Sequence, residues 1–572
     1  MLSFAVGALG FSTLIGSPSP PEVIDTDHYL AATVDTVRWG IYDINKQPVL
    51  TMKSGETVTM EVASHHAGHD YAKMIKGDPA LEAIYDWKQG QTLLEKAVPK
   101  TPGSGVHIMT GPVEVEGAEV GDVLQVDILA IDPRLNPETG KCYGTNSQKF
   151  AGYQFRVGHE DGTEYTRDGG HEYITVFEFV ETPSGHMAWG KPVSMYMFPT
   201  VVDPAGTTRT IDNMPGIVIP HPIDVGGTGE AVSYPPGLGG AVTITSDGRG
   251  NAGQIYYPDV DLDWKVPLRP HLGTMAVMPS NTLNYENGNA GVGGANTIPP
   301  SKFGGNVDNW RIGKGTTMYY QVEVDGGMLM IGDTHAAQGD SELAGTAMET
   351  SMTAKLRVTL HKKATLPPMV QDLNYPLMET ADNWLISGFA YSNYLDQLST
   401  PSEIFSAGAS VDLALENCFN NTRSFLMKTY EVSEAESIAI MSTGVDFAIT
   451  QIVDGNWGVH AVVPKWMFTS PDTPWDYSCN YNNPSGTRRA LGDARTRKLE
   501  QMGVADENSS VRKMTEHVRK LHATSVGVEQ AHLEAIGRRM FEAKVNLMDK
   551  KENPLMGKRV LKAINDGPKK AN

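Results

Sequence analysis

The sequence predicts an α+β, β-rich fold: a strand-and-loop core with helical additions and a C-terminal amphipathic helical tail. Three observations predict it. Period-two alternation of apolar and polar residues recurs along the first two thirds of the chain. The 59 Gly and 35 Pro supply the positive and the fixed φ values that turns between strands require. Helical periodicity becomes frequent only after about residue 400. With 572 residues, 40% of them apolar and 20% charged, the chain has ample material for a large core.

Taken in order, residues 1–25 form an apolar N-terminal segment. Its first 15 residues have the length of a signal h-region but lack a charged leader. A signal for a secreted or periplasmic protein and a plain extension of a cytoplasmic one both stay open. Residues 26–260 form the N-terminal β-rich part of the core. Here Thr57–Val62 and Asp122–Ile128 alternate with period two, and Tyr173–Val180 reads as a further strand. Between the first two, Asp78–Trp87 predicts a short helix, with Asp78 as its cap and Pro79 at its first position. Residues 261–470 form the C-terminal part of the core. Thr316–Val324 and Met328–Ile331 flank Asp325-Gly326-Gly327 and predict a β-hairpin, and Lys355–Leu360 alternates as a strand. Gly- and Asn-rich stretches at 225–253 and 284–305 are too polar to bury unless they line something. Val411–Met427 predicts a helix, and Ser433 with Glu436 forms a capping box for the next. Residues 471–572 are a basic helical extension, with 19 Lys/Arg against 11 Asp/Glu from residue 485 onward.

The net charge of −20 disfavours nucleic acid as the main partner, because phosphate binding needs a basic surface. No run approaches the roughly 20 apolar residues of an integral membrane span. Cys142, Cys418 and Cys479 are far apart and form no C-x-x-C pair, so neither a disulfide framework nor a thiolate zinc site is expected. The G-x-S-x-G elbow and the Walker phosphate loop are both absent.

Polar residues concentrate in GDTHAAQGDSE (332–342), expected as a loop that follows the hairpin strand. His335, Asp340 and Glu342 offer ligand-type side chains, and the small residues between them allow convergence. One imidazole with carboxylates suits a divalent ion, zinc first, while further oxygens would admit calcium or magnesium. A solvated acidic turn is the competing reading. Asn306 and Asp308 in GGNVDNW, His107 in GVHIMTGP, and the SHHAGHD stretch at 64–70 are weaker candidates, each of which has a structural reading as well.

Six segments carry a resemblance: HHAGHDYAKMIKGDPALEAIYDW (65–87), VHIMTGPVEVEGAEVGDVLQVDIL (106–129), PHLGTMAVMPS (270–280), FGGNVDNWRIGKGTTMYY (303–320), GDTHAAQGDSELAGTAMETSM (332–352) and VDFAITQIVDGNWGVHAVVPKWMF (445–468). With them the chain resembles the acetamidase/formamidase family. The resemblance implies a β-rich fold, hydrolysis of short aliphatic amides such as formamide or acetamide, a divalent metal, zinc above all, and a homo-oligomer. On it, His335, Asp340, Asp308 and His107 are expected as metal ligands. Glu342 is expected as general base, Asn306 or Gln338 as donor to the developing oxyanion, and His66 and Asp70 as substrate-binding residues. The division between ligand and base among Asp308, Asp340 and Glu342 stays open. So do two other functions: hydrolysis of a larger amide on the same scaffold, and a non-catalytic metal-containing binding protein.

Overall fold

The computed structural model describes residues 25–85, 104–148, 152–158, 173–182, 187–197, 264–280, 294–406 and 408–468, with short strands between 87 and 245. The N-terminal segment up to residue 24, the 225–253 stretch apart from its short strands, and the 471–572 extension lie outside the described residues.

Two large sheets form the body. The first has nine strands in the order His28–Leu30, Thr57–Val62, Met352–His361, Val123–Pro133, Thr317–Gln321, Leu377–Glu379, Asn383–Phe389, Gly458–Pro464 and Asp446–Gln451. The second has eleven strands and centres on Leu329–Ala337. That strand pairs with His271–Ala276 on one side, and with Met348–Glu349 and Ile108–Val115 on the other. Each sheet draws strands from both sides of residue 260, so the N- and C-terminal stretches build one interleaved core.

Alternation decides which core each side chain enters. Met318 and Tyr320 face the large core between the sheets, together with Val58, Met60, Met275 and Ile331. Tyr319 points the other way, into a second core with Trp384, Ile386 and Phe425. The Val411–Tyr430 helix covers that outer face. Its start is capped by Ser410, whose hydroxyl accepts from the Leu413 N–H at 3.2 Å. Among the described residues, no helix is long and apolar enough to cross a membrane.

Most expected elements form. Pro79–Tyr85 is helical and Asp78 accepts from the Ala80 N–H at 3.0 Å. The Ser433–Glu436 capping box is complete. The hairpin at 316–331 does not form. Thr317–Gln321 pairs within the first sheet and Leu329–Ala337 within the second, so the Asp325-Gly326-Gly327 turn carries the chain from one sheet to the other. Positive φ at Gly326, Gly327 and Met328 makes the change of direction. The strand also runs on to Ala337, which places Asp333 and His335 on a rigid element rather than in a loop.

Candidate active site

The central strand assembles the site. Asp333 and His335 are two apart on it, and register sets His271 opposite His335 on one neighbouring strand and Glu349 opposite it on the other. Asp308 arrives from the turn after Gly304–Asn306, its N–H donating to the Gly273 carbonyl at 3.2 Å. Glu342 follows the strand, and His65 and His107 approach from the ends of two other elements. Donor atoms within 4.8 Å of one another fall into three groups: His65, His107 and Asp333; Asp333, His335 and Glu349; and Asp308, His335 and Glu342.

Hydrogen bonds fix the imidazoles. His271 donates from Nδ1 to the Arg269 carbonyl at 2.6 Å, and its Nε2 lies 2.9 Å from Gln338 Oε1. The Gln338 amide donates to the Asp308 carbonyl at 2.5 Å and turns its own carbonyl oxygen inward. His335 Nδ1 lies 3.1 Å from both His271 Nε2 and Gln338 Oε1, and an N–H there donates to the Gln338 oxygen. The Nε2 of His335 is then left 3.2 Å from Asp333 Oδ2 and 3.2 Å from Glu349 Oε2. His107 repeats the arrangement: Nδ1 donates to the Thr297 carbonyl at 3.1 Å, and Nε2 stands 3.5 Å from Asp333 Oδ2. A deprotonated nitrogen facing a carboxylate needs a proton or a metal cation between them. Tautomers locked in this way by an outer partner are the usual support of metal-binding histidines.

The buried atoms Asp308 Oδ1, Asp333 Oδ1, His335 Nε2 and Glu349 Oε2 have no hydrogen-bond partner. A Cβ on Gly273 would lie 2.5 Å from His335 Cε1 and 2.6 Å from Asp308 Oδ1, so glycine there keeps the space between the donors open. Unpartnered oxygens and nitrogens around an open space fit a divalent cation better than a hydrogen-bonded core.

The electrostatics follow from burial and crowding. Burial, then the Asp333 charge, raises the Asp308 carboxyl. Burial with Asp308 beside it pushes Glu342 well above the usual range, and burial with Asp308 and Glu342 does the same to Asp454. Burial raises Glu349 to about 7, opposed by His335 and reinforced by Asp333. Burial opposes the charged form of His335, yet Glu349 and Asp333 outweigh it and hold the imidazole well above its ordinary value. Burial likewise opposes ionisation of Asp333, but His107 and His335 prevail and depress it. Burial and the neighbouring His335 depress His271 to about 3, which keeps it neutral.

Of the residues expected from sequence, His107, Asp308, His335 and Glu342 are brought together, and Gln338 stands behind them with both ends of its amide engaged. Asn306 pairs with Thr274, whose hydroxyl donates to its side-chain oxygen at 2.5 Å. Alternation sets Thr274 on the sheet face opposite His271 and Gly273, so the Asn306 amide does not face the cluster. Asp340 is not in the cluster either, because its two oxygens pair with the Arg311 guanidinium at 2.9 and 3.2 Å. Asp70 is a buried ion-pair partner of Lys73 at 2.7 Å and accepts from the Lys73 N–H. His66 stands 3.3 Å from His69, which reaches Thr145 at 2.9 Å, a chain of buried side chains behind His65. Sequence reasoning did not select Asp333, Glu349, His271 or Asp454, and from the candidate stretch at 64–70 it assigned roles to His66 and Asp70 rather than to His65. Asp333 had a signal, being two residues before His335 on what proves to be a strand.

Comparison with known proteins gives this arrangement a context. The acetamidase/formamidase pattern matches residues 69–226 and 269–470, which include every member of the three groups except His65. The chain belongs to the acetamidase/formamidase family. An acetamidase from Mycolicibacterium smegmatis is 30% identical over 244 residues, covering 41% of this chain and 49% of that protein. A formamidase from Methylophilus methylotrophus is 27% identical over 279 residues, covering 47% of this chain and 56% of that protein. The match to this chain thus spans about half the length of each relative. Among solved structures, an acetamidase from Bacillus halodurans is 19% identical with a TM-score of 0.44, covering 77% of this chain and 98% of that one. An acetamidase from Yersinia enterocolitica is 19% identical with a TM-score of 0.46, covering 77% and 93%.

Proposed function

We propose that this chain hydrolyses a short linear amide, of the formamide or acetamide class, to the carboxylate and ammonia at the cluster around His335. The observation that carries the reading is the set of buried, unpartnered donor atoms on Asp308, Asp333, His335 and Glu349, held open by Gly273. Membership of the acetamidase/formamidase family supports the amide as substrate. The donor set, with imidazole and carboxylate only, suits zinc or a similar divalent ion held by His335, Asp333 and Glu349.

An amide resists attack because resonance stabilises its C–N bond. A divalent ion held there would supply carbonyl polarisation and would lower the pKa of water toward about 7. The protein's own side chains do the rest. Glu342 takes the proton from the attacking water and returns it to the nitrogen that leaves as ammonia; its raised affinity for a proton suits the second task, and the charge of a bound cation would favour the carboxylate that the first requires. Gln338 holds His335 in the tautomer that presents Nε2. Burial of the whole cluster excludes bulk water and strengthens each of these interactions.

Replacing Glu342 with Gln tests this role. The expected result is a fall in kcat of about 10²- to 10⁴-fold with bound metal unchanged. Retained turnover would remove Glu342 from the proton path, and loss of metal would make it a ligand instead.

A further inference from the structure

We propose that Asp340 and Arg311 are positioning residues for Glu342, their paired side chains holding the 339–342 turn so that the Glu342 carboxylate faces the cluster. This deepens the preceding reading and rests on the role given there to Glu342. The turn ends in strained backbone: Ser341 and Glu342 have φ of 87 and 48°, a region that residues with a Cβ keep only when their surroundings hold them. One hold is the backbone. The Ser341 N–H donates to the Thr450 carbonyl at 2.9 Å, and the Ser341 carbonyl accepts from the Ile452 N–H at 3.3 Å. The other hold is Asp340. Among the described residues it makes the only side-chain hydrogen bonds of the turn, each of its oxygens accepting from the Arg311 guanidinium.

Arg311 is itself fixed. Its guanidinium stands 4.1 Å from the centre of the Trp310 ring, and the Arg269 guanidinium stands 4.2 Å from the same centre. Its N–H donates to Asn309 Oδ1 at 3.1 Å, and its carbonyl accepts from the Thr316 hydroxyl at 2.6 Å. A forked and stacked pair holds its geometry better than a lone surface ion pair. Chain position shows what the pair holds. Arg269 precedes His271 by two residues, Trp310 and Arg311 follow Asp308 by two and three, and Asp340 precedes Glu342 by two. One assembly of side chains thus joins the flanks of three segments that build the site. An ion pair that served stability alone would have no need of these three flanks.

The test compares Asp340→Asn in the wild-type and Glu342→Gln backgrounds of the full-length protein. In the wild-type background, kcat for the best amide is expected to fall about 10- to 100-fold, with KM changed less than about twofold. In the Glu342→Gln background the same substitution should cost less than about twofold, because the group it positions is already gone. An unchanged kcat, an equal loss in both backgrounds, or a loss carried by KM overturns the proposal. Arg311→Lys keeps the charge but not the fork; it should reproduce the kcat loss, and it decides the case if Asp340→Asn fails to fold. Hydrogen exchange read by mass spectrometry follows the turn without turnover. Peptides across 338–345 should exchange about 10-fold faster in Asp340→Asn than in wild type, with those of 329–337 unchanged. Unchanged exchange across the turn overturns the proposal. Faster exchange in the variant, with no amide hydrolysed by the wild type, would sink the proposed function and leave the holding of the turn by Asp340 standing.

Discussion

Asp308, Asp333 and Glu342 all have positive φ, at 51, 49 and 48°, a region that residues with a Cβ seldom adopt. Three carboxylates of one site share this conformation, each at a cost of order 1–3 kcal/mol. The surrounding sheet holds them there, and strain gathered at one cluster is a mark of function rather than of folding. None of it was legible in the sequence, because no Gly or Asn advertises these positions. Glu349 and His271 were missed for another reason. Each is a lone ionisable residue in its own stretch, and only strand register brings them to His335. Gly273 gives the sharpest prediction at this scale. Its replacement by Ala would drive a methyl group against His335 and Asp308. A displacement of about 1 Å at the reacting groups costs on the order of 10²-fold in rate. Gly273→Ala should therefore lower kcat/KM about 100-fold or more with circular dichroism unchanged, and wild-type activity would contradict the geometry described here.

At the scale of elements, the sequence was read well where local chemistry decides. Ser433 and Glu436 announce a helix start by residue type and spacing alone, and the capping box is present. It was read badly where pairing is non-local. Asp325-Gly326-Gly327 has good hairpin chemistry, yet each flanking strand finds a better partner in a different sheet, and no local signal reports that choice. The same limit made the 332–337 strand look like a loop, since its polar residues face a site instead of solvent. Of the 284–305 stretch, expected to be too polar to bury unless it lines something, residues 294–305 are described and mostly buried: Gly294–Asn296 pairs with Ile41–Asp43, and the Thr297 carbonyl accepts the His107 N–H. Docking of the Val411–Tyr430 helix depends on Gly388, where a Cβ would overlap the backbone of Cys418. Gly388→Ala should cost about 1–3 kcal/mol of stability, read from urea denaturation. An unchanged midpoint would mean that the helix sits farther from the sheet than described.

For the whole molecule, burying so many carboxylates couples stability to pH and, on the proposed function, to metal. With metal removed, Glu349 titrates near 7 in the folded chain and near about 4.3 when unfolded. Across that window the folded state holds a proton that the unfolded state has released, so stability falls as pH rises. Asp308, Glu342 and Asp454 are raised and act with the same sign, as does the raised His335, whose stabilisation is lost as pH rises through its folded value; His271 and His460, depressed to about 3, oppose them only below about pH 6.5. The metal-free protein should melt at a lower temperature at pH 8 than at pH 5. Glu349→Gln should flatten the profile, and added zinc should raise the melting temperature most at pH 8. A metal-free profile that is level or rises toward pH 8 would contradict this balance of charges.

The measurement closest to the central claim is ammonia release from formamide, acetamide and propionamide by the purified full-length chain, before chelation, after it, and with zinc restored. The account predicts release from at least one of these amides, loss of that release on chelation, and recovery with zinc. No release from any of them while metal is demonstrably bound would contradict it.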